Sequence, residues 1–184
     1  IREDKNWEEC SDYGNEVENT LGDVTAGTVI LGMNNDATLF GRDTQYGDHQ
    51  AHIPAFKASK MLISNAEFLD FIIEEGYSND TFWCEEGKAW RDYTEAKHPL
   101  FWSKSEEGYI LRTLSREIDL PLNWPVEVNH LEASAFCKWK SQKEAVNITL
   151  PTEDEYIRLR DVSKVPSYIE WTAKGESIAN INLE

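Results

Sequence analysis

The stretch SNAEFLDFIIEEG, from Ser64 to Gly76, carries both the start signal and the stop signal of a helix. Ser64 can cap the first free N–H groups, and Glu67 three residues later can reach back to the cap. Gly76 is typical of the left-handed residue that ends a helix. Five apolar side chains fall on one broad face between these signals: Phe68, Leu69, Phe71, Ile72 and Ile73. We therefore predict an amphipathic helix.

Two more segments carry the same start signal. Asn129 with Glu132 opens the second, and the apolar positions that follow recur at three- and four-residue spacing: Leu131, Ala135, Phe136 and Trp139. Thr152 with Glu155 opens the third, directly after Pro151, and its expected buried residues are Tyr156 and Leu159. The sequence thus predicts about three helices.

Short apolar runs between these helices indicate strands. Thr28-Val29-Ile30-Leu31 ends at Gly32, and Val126 and Val128 alternate around Glu127. Ile53–Phe56 and Met61–Ile63 are further candidates, although Pro54 restricts the first to an edge or a strand start. Residues 77–119 show no sustained period, but their many aromatic side chains disfavour disorder. We expect a loop-rich α+β fold with few short strands.

Size and charge limit the classes of function. A chain of 184 residues with 40% hydrophobic residues can bury one core, so a single domain is the expectation. A net charge of −16 repels nucleic-acid phosphates and anionic lipid, so neither partner is expected. Neither a membrane span nor a signal peptide is evident. Cys10, Cys84 and Cys137 suggest no disulfide framework or thiolate zinc site, and we expect a cytoplasmic protein.

The histidines offer no self-contained metal site. His49 and His52 lie in a polar cluster, but in a strand two side chains three residues apart point to opposite faces. Polarity at a turn or strand edge is the favoured interpretation. Neither H-x-x-x-H-x-E nor H-E-x-x-H occurs, and neither do the common nucleophile or phosphate-binding motifs. We assign no catalytic residue and no metal ligand to this chain.

The tryptophans of the irregular region allow two interpretations. Trp83, Trp90 and Trp102 could form a floor for a cationic or aromatic ligand, because cations are attracted to ring faces. Core packing is the alternative, and for most of these rings it is favoured.

Taken in order, the motifs resemble the formylglycine-generating-enzyme, or sulfatase-modifying-factor, fold, which is C-type-lectin-like. The motifs are VILG (29–32), FKASK (56–60), SNAEF (64–68), GY (76–77), FW (82–83), EGKAW (86–90), PVEVN (125–129) and LPTEDEY (150–156). Each is weak alone, whereas the ordered set is specific.

Four further segments resemble the iron-dependent sulfoxide synthases of ovothiol biosynthesis, the 5-histidylcysteine sulfoxide synthases: NEVENTL (15–21), FGRDTQYG (40–47), HPLFW (98–102) and NINLE (180–184). The resemblance implies a parent protein that uses non-haem iron(II) and oxygen to join cysteine sulfur to the imidazole of histidine. It implies iron ligands in a preceding helical domain, a connector at residues 1–22, and the N-terminal part of the domain of this fold at residues 23–184. This chain would supply part of the substrate-cleft wall.

The resemblance also implies substrate contacts. The candidate residues are Asp43, Gln45, Tyr46, Trp83 and Trp90. Two alternatives remain: a non-catalytic module of the same fold that binds a small molecule or a protein, and a purely structural role for the aromatic residues.

Overall fold

The computed structural model describes residues 18–32, 47, 49–114 and 116–163. They belong to two compact units. We call residues 18, 62–114 and 116–150 the aromatic unit, and residues 19–32, 47, 49–61 and 151–163 the strand unit. No helix within the described ranges is long and apolar enough to cross a membrane.

The strand unit contains two antiparallel ribbons. Strand β1 (Leu21–Val24) pairs with β4 (Phe56–Ser59), and β2 (Gly27–Leu31) pairs with β3 (His49–Ile53). The predicted strand at residues 28–31 is confirmed. The candidate at residues 53–56 is divided, because β3 ends at Ile53 and β4 begins at Phe56, on either side of Pro54, which has no N–H to donate.

Helix α4 (Glu153–Ser163) completes the strand unit and begins where the sequence predicts. The Thr152 N–H donates to Glu155 Oε2 at 2.8 Å, and the Glu155 N–H donates back to Thr152 Oγ1 at 3.3 Å. Leu159 is buried as expected, whereas Tyr156 is half-buried. The other buried apolar side chains of this unit are Val24, Val29 and Ile53.

The aromatic unit contains three α-helices, α1 (Asn65–Ile73), α2 (Glu85–Thr94) and α3 (His130–Glu144), and a 3-10 turn at Asp80–Phe82. Its sheet has three antiparallel strands in the order β5 (Trp102–Ser105), β6 (Gly108–Arg112) and β7 (Glu117–Asp119). The fold is therefore α+β and loop-rich, as the sequence predicts.

Helices α1 and α3 carry the predicted capping boxes at Ser64 and Asn129. Two details of the α1 prediction are wrong. Ile73 is 68% exposed rather than buried. The left-handed residue is Glu75, with φ of 61°, and not Gly76. Gly76 is needed for another reason, because a Cβ there would lie 2.2 Å from the Phe71 ring.

Residues 77–119 are more regular than the sequence suggests, since they contain α2 and all three strands of the sheet. The two expected strands at residues 61–63 and 126–128 are wrong. Neither segment forms a strand; an isolated bridge joins the flanking residues Ser64 and Pro125, and the Val126 N–H donates to Ile63 O at 2.9 Å. Val126 and Val128 are nevertheless buried and Glu127 is exposed, so the predicted alternation is present without the strand.

Aromatic rings form the core of this unit. Phe68 is 1% exposed and packs edge-on against Phe71 at 5.2 Å and nearly parallel to Phe136 at 5.4 Å between ring centroids. Trp139 lies 5.7 Å from Phe71. Rings at such separations gain stability beyond the area that they bury.

Candidate functional site

The candidate ligand-binding segment runs from Tyr77 to Trp102, and hydrogen bonds to backbone acceptors hold its first part in place. The Trp83 indole N–H donates to Gly76 O at 2.8 Å. The Arg91 guanidinium donates to Tyr77 O at 2.9 Å and to Asp80 Oδ1 at 2.7 Å. These hydrogen bonds connect helix α2 to the residues that follow α1.

Trp83 is enclosed by its neighbours. It is 4% exposed, its ring centroid lies 5.5 Å from that of Tyr77, and the Arg91 guanidinium carbon lies 5.6 Å from the ring centroid. Gly87 passes close by, since a Cβ there would lie 3.0 Å from the Trp83 ring. A ligand could touch this ring only after these groups moved.

Trp90 offers a more accessible ring. It stacks on Trp83 with centroids 6.1 Å apart and planes 22° apart, and it remains half-buried. The structure therefore brings together two of the residues proposed for substrate binding, with Trp83 as the inner ring and Trp90 as the outer ring. Their contact with substrate stays a prediction.

The other proposed substrate contacts are not placed. Asp43, Gln45 and Tyr46 lie outside the described residues. Trp102, the third ring of the possible ligand floor, is 2% exposed and packs on Phe68 and Tyr109, which is the core role favoured from the sequence.

A buried acid next to this segment was not recognised from the sequence. Glu132 is 3% exposed and accepts a hydrogen bond from the Tyr77 hydroxyl. Burial raises the pKa of the Glu132 carboxyl, while the bonds from Tyr77 and from the Asn129 backbone and the nearby His98 counteract that rise. Burial, reinforced by the charge of Glu132, also raises the pKa of the Tyr77 phenol far above its ordinary value. The sequence signal at Glu132 is its place in the capping box of α3, which by itself does not indicate burial.

Two of the histidines belong to the strand unit, and both described cysteines belong to the aromatic unit. His49 and His52 are in β3, and His49 Nε2 lies 3.4 Å from Asp154 Oδ2. Burial raises the pKa of the Cys137 thiol to about 11, so it is a poor nucleophile at neutral pH. Cys84 is exposed and caps α2, with its sulfur accepting from the Gly87 N–H at 3.3 Å.

The described side chains do not fit a metal ion. Throughout residues 18–32, 47, 49–114 and 116–163, no group of three His, Cys, Asp or Glu side chains could hold an ion. A redox iron needs several nitrogen or oxygen ligands that converge on one point with open positions left for reactants. The described residues do not provide such a set.

The sequence profile of the sulfatase-modifying factor enzyme 1-like domain matches residues 13–172. The chain belongs to this family. The resemblance inferred from the ordered motifs is thereby confirmed at the level of the family and of its fold.

Three mycobacterial hercynine oxygenases are similar to this chain. The protein from Mycobacterium tuberculosis is 30% identical over 129 residues, which are 69% of this chain and 28% of that protein. The protein from Mycolicibacterium thermoresistibile is 30% identical over 128 residues, covering 69% and 27% of the two chains. The protein from Mycolicibacterium smegmatis is 29% identical over 134 residues, covering 72% and 29%. The match thus spans under a third of the length of these relatives, whose names place an oxygenase activity in the family.

Proposed function

We propose that this chain is part of a non-haem iron(II), oxygen-dependent sulfoxide synthase that joins cysteine sulfur to the imidazole of histidine. The observation that carries the proposal is the match of about 70% of the chain to three proteins named hercynine oxygenase. The segments at residues 40–47 and 98–102 favour the ovothiol branch of such enzymes. In this proposal histidine, cysteine and oxygen are the substrates.

The chain would form part of the substrate-cleft wall, and the iron would be held by a helical domain that precedes residues 1–22. When bound, iron would supply the activation of oxygen. The contribution proposed for this chain is to hold substrate with Asp43, Gln45, Tyr46 and the paired rings of Trp83 and Trp90.

The geometry of the ring pair gives its members different parts in that proposal. Trp90 is half-buried and would contact substrate, whereas Trp83 is enclosed and would support Trp90 through the stacking contact at 6.1 Å. Aromatic faces attract cations and stack with flat rings, and a histidine substrate offers both chemistries in its ammonium and imidazole groups.

The activity test uses the full-length parent protein with iron(II), oxygen, histidine and cysteine. We expect oxygen consumption and a sulfoxide with a new carbon–sulfur bond, detected by mass spectrometry. Replacing histidine by hercynine tests which substrate branch applies. Oxygen consumption with hercynine and cysteine, but not with histidine and cysteine, would keep the oxygenase assignment and overturn the histidine specificity.

A second candidate function is a non-catalytic binding module, and the accessible Trp90 ring favours it. Titration of the chain with histidine and with cysteine, followed by tryptophan fluorescence, distinguishes the candidates when it is combined with the activity assay. Binding that Trp90→Ala abolishes, without product formation by the parent under any metal loading, would favour the module. Tyr93→Ala is the matched control, since Tyr93 lies on the same helix and is 90% exposed.

A further inference from the structure

Glu132 is a buried carboxylate whose two oxygens have different partners. Oε2 accepts from the backbone N–H of Asn129 at 2.9 Å, and Oε1 accepts from the Tyr77 hydroxyl. The first bond belongs to the capping box of α3, and the second joins α3 to a residue 55 positions away in the chain. One side chain therefore caps a helix and connects two distant segments.

Both donors to Glu132 are electrically neutral. No lysine or arginine within the described ranges forms an ion pair with Glu132. Carboxylates elsewhere in the aromatic unit do have such partners, as Glu74 has Lys143 at 2.7 Å and Asp80 has Arg91 at 2.7 Å. A buried ionised carboxylate without a bonded cation is costly, and the usual response is to take up a proton.

The two donors also determine where a proton can go. A backbone N–H only donates, so Oε2 must remain an acceptor. A phenol hydroxyl both donates and accepts and can rotate. If Oε1 gains a proton, the Tyr77 hydroxyl can turn and accept from it, and no hydrogen bond is lost. Protonation at Oε1 thus removes the buried charge and preserves the network.

The other titratable groups near this site come from different segments. His98, which lies between α2 and β5, is close enough for its charge to favour the ionised form of Glu132. The ring centroid of Tyr109, in β6, lies 5.7 Å from that of His98. The charge of Tyr109 contributes to the raised pKa of Tyr77. Tyr77 keeps its own proton, because its pKa is raised far above the ordinary value. Of the hydrogen-bonded pair, Glu132 is therefore the member that can take up a proton as the pH falls.

We propose that Glu132 is a buried proton-binding site of the aromatic unit, and that proton uptake on Oε1 against Tyr77 strengthens the packing of α3 on the segment after α1. Burial raises the pKa of Glu132 above its ordinary value of 4.5. A group whose pKa is raised on folding contributes stability in full below the ordinary value, and this contribution is lost as pH rises through the folded value. The proposal is independent of the enzyme activity proposed above.

The first test is a carboxyl-carbon NMR titration of the chain labelled at glutamate. We expect Glu132 to titrate at higher pH than Glu74, whose pKa is lowered by its bonds to Lys143 and Trp139. Tyr77→Phe should move the Glu132 titration to still higher pH, because a donor to the ionised form is lost. His98→Gln should move it in the same direction, and His52→Gln in the strand unit should not. A Glu132 titration at or below that of Glu74 would overturn the proposal.

The second test compares the unfolding of the original chain with that of its Glu132→Gln variant between pH 4.5 and 8. The amide imitates the protonated acid, since its oxygen can accept from Asn129 and its nitrogen can donate to Tyr77. We expect the stability of the original chain to rise relative to the variant as pH falls. Parallel profiles for the two chains would contradict proton uptake at this site. If the variant does not fold, the titrations of the original chain and of Tyr77→Phe still decide the question.

Discussion

The aromatic unit and the strand unit are stabilised by different means. In the aromatic unit, large rings such as Phe68, Phe71 and Phe136 pack into one core that also contains a buried acid. The strand unit buries smaller aliphatic side chains, and Arg158 of α4 donates to Thr25 O at 2.8 Å and to Ala26 O at 3.0 Å. The aromatic unit therefore depends on side-chain volume, whereas the strand unit depends more on polar bonds to the backbone.

The largest effect is expected at the centre of the ring core. Phe68→Ala removes a ring that is 1% exposed, and it should lower the free energy of unfolding of the aromatic unit by about 3–5 kcal/mol. Tryptophan fluorescence in a denaturant series measures this, because Trp83, Trp102 and Trp139 belong to the same core. Tyr93→Ala is the control. A loss below about 1 kcal/mol would show that ring volume does not stabilise this unit.

A smaller effect is expected in the strand unit. Arg158→Met keeps much of the side-chain volume and removes the donors to Thr25 and Ala26, so it should cost about 1–3 kcal/mol. Hydrogen exchange of the strand amides measures the change. Arg160→Met is the matched control on the same helix, since Arg160 pairs only with the neighbouring Asp161 at 2.9 Å within the described residues. Equal effects of the two variants would contradict the role assigned to Arg158.

The salt bridge of Asp80 provides a pH-dependent test. Its bond to Arg91 lowers the pKa of Asp80 from the ordinary 3.8. Its contribution to stability is therefore present above that value and is lost as pH falls through the lower folded value. Asp80→Asn should be less stable than the original chain at neutral pH, and the difference should shrink in acid. Asp119→Asn, at an exposed position of β7, is the control, and an undiminished difference in acid would contradict the assignment.

The smallest effect concerns left-handed backbone positions. Ala145 has a φ of 52° at the C-terminal cap of α3, whereas glycine occupies positive-φ positions at Gly32 in the strand unit and at Gly108 in the aromatic unit. A Cβ is disfavoured in this conformation, so Ala145→Gly should stabilise the aromatic unit by about 0.5–1 kcal/mol. Thermal unfolding measures the gain. Destabilisation would show that the cap is held by something other than backbone conformation.

Local signals account for what could be predicted. The starts of α1, α3 and α4 depend on residues three positions apart, and β2 is a continuous apolar run. Helix α2 was missed because its cap is the thiol of Cys84, which is not a typical cap, and because Gly87 lies in its first turn.

The remaining features depend on contacts between distant positions. The strands of the three-stranded sheet contain charged residues, as in Glu117–Asp119, and only their pairing makes them regular. The bond between Tyr77 and Glu132 has no local sequence pattern at all. The stack of Trp83 on Trp90 was recognised only as a group of aromatic residues, since its order of burial depends on Gly76 and Arg91.

The most direct test of the proposed function is product analysis of the parent protein with and without iron(II). With iron(II), oxygen, histidine and cysteine, we expect a histidine–cysteine sulfoxide, and its formation should fall in the Trp90→Ala variant but not in Tyr93→Ala. Absence of both sulfoxide formation and oxygen consumption at every metal loading, in a parent that still binds histidine through Trp90, would contradict the proposed enzyme activity and identify a binding module.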